Sequence, residues 1–192
     1  MTTPVNPVLR EMRWWDIDPV LELEKNLFPE DAWSRGMFWS ELAHSRGPTA
    51  TRRYVVAEAG ERLVGYAGLA LAGTAADGDT GNGSDAGPGA GADVQTIAVA
   101  RDHWGTGLGS VLLTELLRAA TAFECAEVML ECRIDNIRAQ KLYERFGFEA
   151  IGFRRGYYQP GNVDALVMRL TTASDSGLAT GPTSERGTEI NG

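Results

Sequence analysis

Residues 98–113 read AVARDHWGTGLGSVLL, with glycine at Gly105, Gly107 and Gly109. Glycine loses more backbone freedom on folding than any other residue and packs nothing, so this density needs a structural reason. The apolar stretch DVQTIAVA precedes the glycines and a leucine-rich run follows them. That order spells a strand, a tight turn and a helix N-terminus. The first N–H groups of a helix have no intrahelical acceptor and sit at the positive end of its dipole, which suits an anion. Glycines would let a phosphate come close to the backbone. A tight turn that binds nothing fits the glycines alone about equally well. Two better-known phosphate loops do not fit: a P-loop would follow its last glycine with Lys-Ser/Thr, whereas Gly109 precedes Ser110-Val111. A dinucleotide fingerprint would not place its glycines on alternate positions.

Two segments limit how much chain can fold around this junction. GTAADGDTGNGSDAGPGAGA (73–92) has seven glycines and no large apolar side chain. It cannot offset its ordering entropy and reads as a disordered loop. TTASDSGLATGPTSERGTEING (171–192) reads as a disordered tail. A single domain over 8–170 remains, interrupted by that loop. The net charge of −8 is concentrated in the same places: residues 73–93 carry four acids and no base, while 94–170 balance nine acids against nine bases. No basic nucleic-acid footprint is present, so no nucleic-acid partner is expected. No apolar run has membrane-spanning length and the N-terminus has no secretory pattern, so a cytoplasmic protein without a membrane partner is expected. Cys125 and Cys132 match neither a redox nor a zinc spacing and read as reduced, half-buried thiols. The only histidines, His44 and His103, suggest no metal site.

The remaining elements follow in order. VLREMRWWD reads as a strand; Asp18-Pro19 opens a helix, with aspartate as cap and proline at its first position. Ser34 caps a second helix, and RRYVVAEAGERLVGYAGLAL reads as two strands around an Ala-Gly-Glu turn. DVQTIAVA is the fourth strand. A helix from about Leu108 to Phe123 keeps Leu113, Leu116, Leu117 and Ala120 at helical spacing. AEVMLECRI is the fifth strand. Asn136 then caps a helix that buries Ala139, Leu142, Tyr143 and Phe146, and FEAIGFRRGYYQ with NVDALVMRL closes as a hairpin. Seven strands, mostly joined by hairpins, and four helices make an α+β protein with a mixed, mostly antiparallel sheet.

Three segments carry a resemblance. VARDHWGTGLGSVLL resembles the acetyl-CoA pyrophosphate loop of the GNAT (GCN5-related N-acetyltransferase) superfamily, written R/Q-x-x-G-x-G/A. ECRIDNIRAQKLYERFGF resembles that family's following strand and helix, and FRRGYYQPGNVDALVMRL the ending of its RimI-type subgroup. Members of that subgroup acetylate the N-terminal alanine of a small-subunit ribosomal protein. The resemblance covers about residues 8–170, apart from the 73–92 loop. Trp104 departs from it, standing where Arg or Gln opens the loop motif. A backbone cradle survives that change; a side-chain contact from this position does not follow.

The resemblance implies the acyl-CoA N-acyltransferase fold and acetyl-CoA as co-substrate, without a metal. It implies cofactor contacts from Ile97, Ala98 and Val99, from Gly105, Thr106, Gly107, Leu108, Gly109 and Ser110, and from Asn136, which also reads as a helix cap. Acetylation requires a neutral amine, a proton donor for the departing thiolate and a donor for the thioester oxygen. An α-amine titrates near ~7.7–8.0, so a modest base suffices. Glu131 is the only carboxylate inside the apolar run of its strand and by itself reads as a solvated surface charge. The resemblance makes it the general base, acting through water. Tyr143 by itself reads as a core aromatic, but N-x-x-A-x-x-L-Y matches the family tyrosine that protonates the thiolate. Tyr157 and Tyr158 match tyrosines lining a peptide groove, though a tyrosine pair in a hairpin is also ordinary cross-strand packing. Glu30, Asp31 and Asp164 read as surface charges that could also attract a cationic N-terminus. A protein N-terminus, foremost that of a ribosomal protein, is therefore the expected substrate. A small amine acceptor and a silent acyl-CoA-binding module are the alternatives; RRGYY speaks against the first, and Glu131 with Tyr143 against the second.

Overall fold

The computed structural model describes residues 6–72 and 90–172. In chain order the elements are β1 (Val8–Glu11), α1 (Ile17–Leu27), α2 (Arg35–Ala43), β2 (Arg52–Ala59), β3 (Arg62–Leu71) and β4 (Gly91–Val99), followed by α3 (Leu108–Ala122), β5 (Glu127–Arg133), α4 (Ile137–Arg145), β6 (Glu149–Tyr158) and β7 (Val163–Thr171). They form one seven-stranded sheet in the order β1-β2-β3-β4-β5-β7-β6. Every neighbouring pair is antiparallel except β4 with β5. The parallel pair is forced by α3, which crosses over between those two strands. Among the described residues no helix is long and apolar enough to cross a membrane.

The helices cover both faces. On one, Trp33, which precedes α2, and Phe38 of α2 pack against Tyr54 and Tyr66 of the sheet. On the other, α3 buries Leu108, Leu112, Leu113, Leu116 and Ala120 on one stripe, with Leu117 beside them. Truncating a fully buried leucine such as Leu113 to alanine costs about 2–5 kcal/mol. Helix α4 adds Tyr143 from its buried face, with Ala139 and Leu142 at its edge and Phe146 just beyond its end. Cys125 and Cys132 are free thiols, and both are buried rather than half-buried.

Local capping agrees with the sequence at two helices and differs at a third. Ser34 Oγ accepts from Met37 N–H at 3.3 Å, and Asn136 Oδ1 accepts from Ala139 N–H at 3.1 Å. Helix α1 starts one residue before the expected aspartate cap, at Ile17, which places Asp18 and Pro19 inside its first turn. The first strand is also shorter than VLREMRWWD. It stops at Glu11, and Trp14–Asp16 form a single 3-10 turn. Asp16 causes both shifts. Its buried carboxylate takes two bonds from the Arg10 guanidinium, at 2.6 and 2.8 Å, and one from Arg13 N–H at 2.7 Å. That bidentate grip bends the chain before the strand can continue.

Strands β4 and β7 overlap the edges of the segments read as loop and tail. Gly91 pairs with Glu127, and Glu127 with Thr171, so the β5 ladder recruits both. Residues 73–89 and 173–192 of those two segments lie outside the described residues.

Candidate active site

The parallel pairing of β4 and β5 runs only from Gly91–Val94 against Glu127–Leu130. Beyond it, β4 stays on β3 as far as Val99 and β5 stays on β7 as far as Arg133. The sheet therefore opens as a wedge in its middle. The register on β3 jumps from Thr96 to Val94, leaving Gln95 as an extra residue. Such a bulge bends the strand that carries it, here at the point where the wedge begins. Ile97, Ala98 and Val99 lie on the β4 wall, where the backbone edge turned to β5 has no strand partner.

At the mouth of the β4 wall the three glycines answer different needs. Gly105 and Gly107 have φ of +80° and +90°, which L side chains avoid, and a Cβ on either would meet nothing within 4 Å. Gly107 is the N-cap of α3. Gly109 lets α4 approach closely: a Cβ there would stand 3.3 Å from Leu142 Cδ2. Ser110 and Val111 both return their N–H to Gly107 C=O, at 2.9 and 3.2 Å. The N–H groups ahead of them, at Gly107, Leu108 and Gly109, take no backbone acceptor among the described residues. Thr106 spends its hydroxyl on His103 C=O at 2.8 Å. The result is a concave, glycine-faced helix end whose free donors suit a pyrophosphate.

Trp104 braces this loop. Its indole N–H donates to Val99 C=O at 2.7 Å, and the guanidinium carbons of Arg138 and Arg101 lie 4.3 and 5.1 Å from its ring. Trp104 thus gathers two cations beside the glycine turn. Asn136 is already committed as a cap; its contribution to a ligand would be added to that role.

The β5 wall carries side chains. Strand alternation puts Glu131 and Cys132 on opposite faces. Glu131 is half-buried, and its Oε1 receives Arg154 Nε at 2.9 Å. The Tyr157 phenol lies near Glu131; burial first, then the neighbouring carboxylate, raises its pKa. The Tyr158 hydroxyl donates to Glu131 C=O at 3.3 Å. On the other face, Tyr143 comes close to Cys132 and Tyr158, and its ring packs edge-on against Phe148 at 5.9 Å. Burial is the main reason its phenol is pushed well above the ordinary tyrosine range, with the two neighbours adding to it. No described residue hydrogen-bonds the Tyr143 hydroxyl. Burial likewise pushes the Cys132 thiol up to about 11, so it stays protonated.

All four chemical residues expected from the sequence, Glu131, Tyr143, Tyr157 and Tyr158, thus gather around one short stretch of β5. The Arg133 guanidinium, at the end of that strand, has its pKa raised mainly by its bond to Asp135, and the exposed Asp31 and Glu30 add to the shift. Asp164 faces inward, its Oδ1 accepting Gly156 N–H at 2.8 Å. Sequence reading missed three partners. Arg154 stands in RRGYY without any local sign that it meets Glu131. Arg138 is separated from Trp104 in the chain by α3 and β5. Glu24, buried in α1, bonds the Tyr66 hydroxyl and accepts Trp33 N–H at 2.9 Å, pinning the segment that bears Glu30 and Asp31.

Comparison with known proteins agrees with this geometry. Residues 14–148 match the acetyltransferase (GNAT) family. The N-alpha-acetyltransferase RimI of Mycobacterium tuberculosis is 35% identical over 178 residues, which are 92% of this chain and 100% of that protein. A Bacillus subtilis protein assigned as a ribosomal protein bS18-alanine N-acetyltransferase is 30% identical over 163 residues, 85% of this chain and 94% of its own. The crystal structure of the ribosomal-protein-S18-alanine N-acetyltransferase from Escherichia coli shares the fold, with a TM-score of 0.67 at 23% identity over 88% of this chain and 97% of that one. The likeness carried by three short segments extends along most of the sequence, and the protein belongs to the acetyltransferase (GNAT) family.

Proposed function

We propose that the protein is a RimI-type N-terminal acetyltransferase, moving an acetyl group from acetyl-CoA to the α-amine of an alanine-initiated ribosomal protein and of other protein N-termini. Relatives bearing that activity in their names match most of the chain at 30 and 35% identity. The observation that carries the reading is the convergence of Glu131 and Tyr143 on adjacent residues of β5, from opposite faces, where the sheet opens.

The wedge suits an extended thioester arm. Its β4 wall offers, along Ile97, Ala98 and Val99, a backbone edge with no strand partner on the β5 side, where Val99 C=O is already taken by the Trp104 indole. The loop from Gly105 to Ser110 offers its free N–H donors and the α3 dipole to the phosphates. Asn136 and Arg138 stand at the start of α4, beside that loop. The acceptor amine enters from the β6–β7 side, between Tyr157, Tyr158 and the 28–34 segment. Glu131 takes the ammonium proton, directly or through a water. The amine nitrogen then attacks the thioester carbon, whose oxygen charge a backbone N–H of the β4 wall stabilises. As the C–N bond completes, the C–S bond breaks. Tyr143, held protonated by burial and free of other bonds, gives its hydrogen to the departing thiolate, and the second proton shed by the acylated nitrogen, carried by water, restores the phenol.

A thiol-release assay tests the reading. Acetyl-CoA is supplied with alanine-initiated ribosomal peptides, the same peptides blocked at the N-terminus, and small amines such as polyamines, aminoglycosides and amino acids. Thiol release should require a free peptide N-terminus. Release with the small amines and none with any peptide would replace this reading with a small-molecule acetyltransferase.

A further inference from the structure

We propose that Arg154 is a positioning residue for the acceptor side of the site, and that an irregularity in β6 anchored by Asp164 sets Tyr157 beside it. The inference rests on the reading of Glu131 as the base.

The sheet register brings the pair together. Glu131 pairs with Val167 and Arg133 with Ala165, while Arg154 pairs with the same Ala165 from the other side of β7. Residues paired across a ladder share a face, so Glu131 and Arg154 look the same way across the small Ala165. Arg154 spans the gap with its Nε on Glu131 Oε1. The strand then breaks register: from Arg154↔Ala165 to Tyr158↔Val163, β6 advances four residues while β7 advances two. In a regular strand, Tyr157 would face away from Arg154. The irregularity re-aims it, so that its ring lies 5.5 Å from the Arg154 guanidinium and its phenol comes near Glu131. Two features hold the irregularity. Gly156 has φ of +59°, and a Cβ there would stand 2.2 Å from Asn162 Oδ1. Its N–H, lost to the ladder, is taken by Asp164.

The three side chains cluster, with the carboxylate held by the Arg154 cation and the Tyr157 ring beside that cation. A single-bond ion pair this exposed, 57% at the arginine, adds little to fold stability. Its consequence is geometric: it fixes the carboxylate on the wedge side of β5, where the acceptor amine arrives. Because Arg154 touches Glu131 and not the reacting atoms, its effect must pass through Glu131.

A double-mutant cycle reads that dependence. Turnover of an alanine-initiated ribosomal peptide is measured for the wild type, Arg154→Met, Glu131→Gln and the double variant, with Arg154→Lys as the conservative control. In the wild-type background Arg154→Met should lower kcat by about ten-fold, within what a misplaced catalytic group costs. It should leave KM for acetyl-CoA unchanged, and Arg154→Lys should recover most of the loss. In the Glu131→Gln background the same Arg154→Met change should have no further effect. Equal losses in both backgrounds would overturn the positioning role while leaving Glu131 as the base. Wild-type turnover from Glu131→Gln alone would instead overturn the base assignment. Asp164→Asn, which keeps an acceptor for Gly156 N–H, should retain more activity than Asp164→Ala; the two falling equally would remove the anchor from the proposal.

Discussion

On the β4 side of the wedge the groups that face the opening are backbone amides, glycines and a helix end, whereas on the β5 side they are the side chains of Glu131, Tyr143, Tyr157 and Arg154. A backbone cradle depends on chain path, so it tolerates changes of side chain that preserve that path. Trp104 stands where the family uses Arg or Gln, and the loop keeps its two left-handed glycines and its free donors. The opposite wall has no such latitude. Each of its groups is one side chain, aimed by a strand register or, for Tyr143, by α4. In the proposed reaction one wall holds the constant part of the donor and the other works on the reacting atoms.

The largest effects should therefore come from small changes on the β5 wall. Glu131→Gln and Tyr143→Phe alter few atoms each, yet each should lower kcat by about 10²–10⁴-fold, the range for a general acid or base. Calorimetry should show both variants binding acetyl-CoA like the wild type, because neither residue belongs to the phosphate loop. A loss of binding matching the loss of rate would erase the division between the walls.

An intermediate effect should come from breaking the chain path on the β4 wall. Gly107→Glu forces an L side chain into φ of +90° and puts a negative charge at the phosphate end of the wedge. Left-handed backbone alone costs about 1–2 kcal/mol, so the Kd for acetyl-CoA should rise at least about ten-fold. At saturating acetyl-CoA, kcat should stay near wild type. Unchanged affinity would make the turn a structural element only.

The smallest effect should come from Trp104→Arg, which restores the family residue and removes the ring between Arg101 and Arg138. Each exposed cation–π contact is worth about 0.5–1 kcal/mol. Acetyl-CoA affinity should move by less than about five-fold, in either direction. A larger loss would show that this chain has transferred part of its phosphate grip from backbone to the Trp104 cluster.

How much of this was legible in the sequence divides along the same line. The glycine junction, the caps at Ser34 and Asn136 and the stripe of α3 are local patterns, and they could be read in place. Glu131 and Tyr143 could be singled out only through the family resemblance, since by themselves they read as a surface charge and a core aromatic. The partners could not be read. Arg154 meets Glu131 only through the register of β5, β7 and β6, and Tyr157 joins them only because β6 breaks step. Trp104 finds Arg138 only once α4 has packed beside α3. The early end of β1 has a similar origin, since Asp16 is captured by Arg10, a residue that pairs with Val56 on β2. Short-range chemistry was visible, and contacts made by sheet register were not.

The most direct test of the account is turnover against pH for the wild type, Glu131→Gln and Tyr143→Phe, on an alanine-initiated ribosomal peptide at saturating acetyl-CoA. The acceptor α-amine loses its proton unaided near ~7.7–8.0, so the deficit of Glu131→Gln should shrink as pH rises through that range. Tyr143 is held protonated by burial well above the ordinary phenol range, so wild-type turnover should show no alkaline decline from it across the same window. The Tyr143→Phe deficit should stay constant there, since no pH restores a missing hydroxyl. Deficits that run parallel for the two variants, or wild-type rates from either at every pH, would contradict the assignment of proton removal to Glu131 and proton delivery to Tyr143.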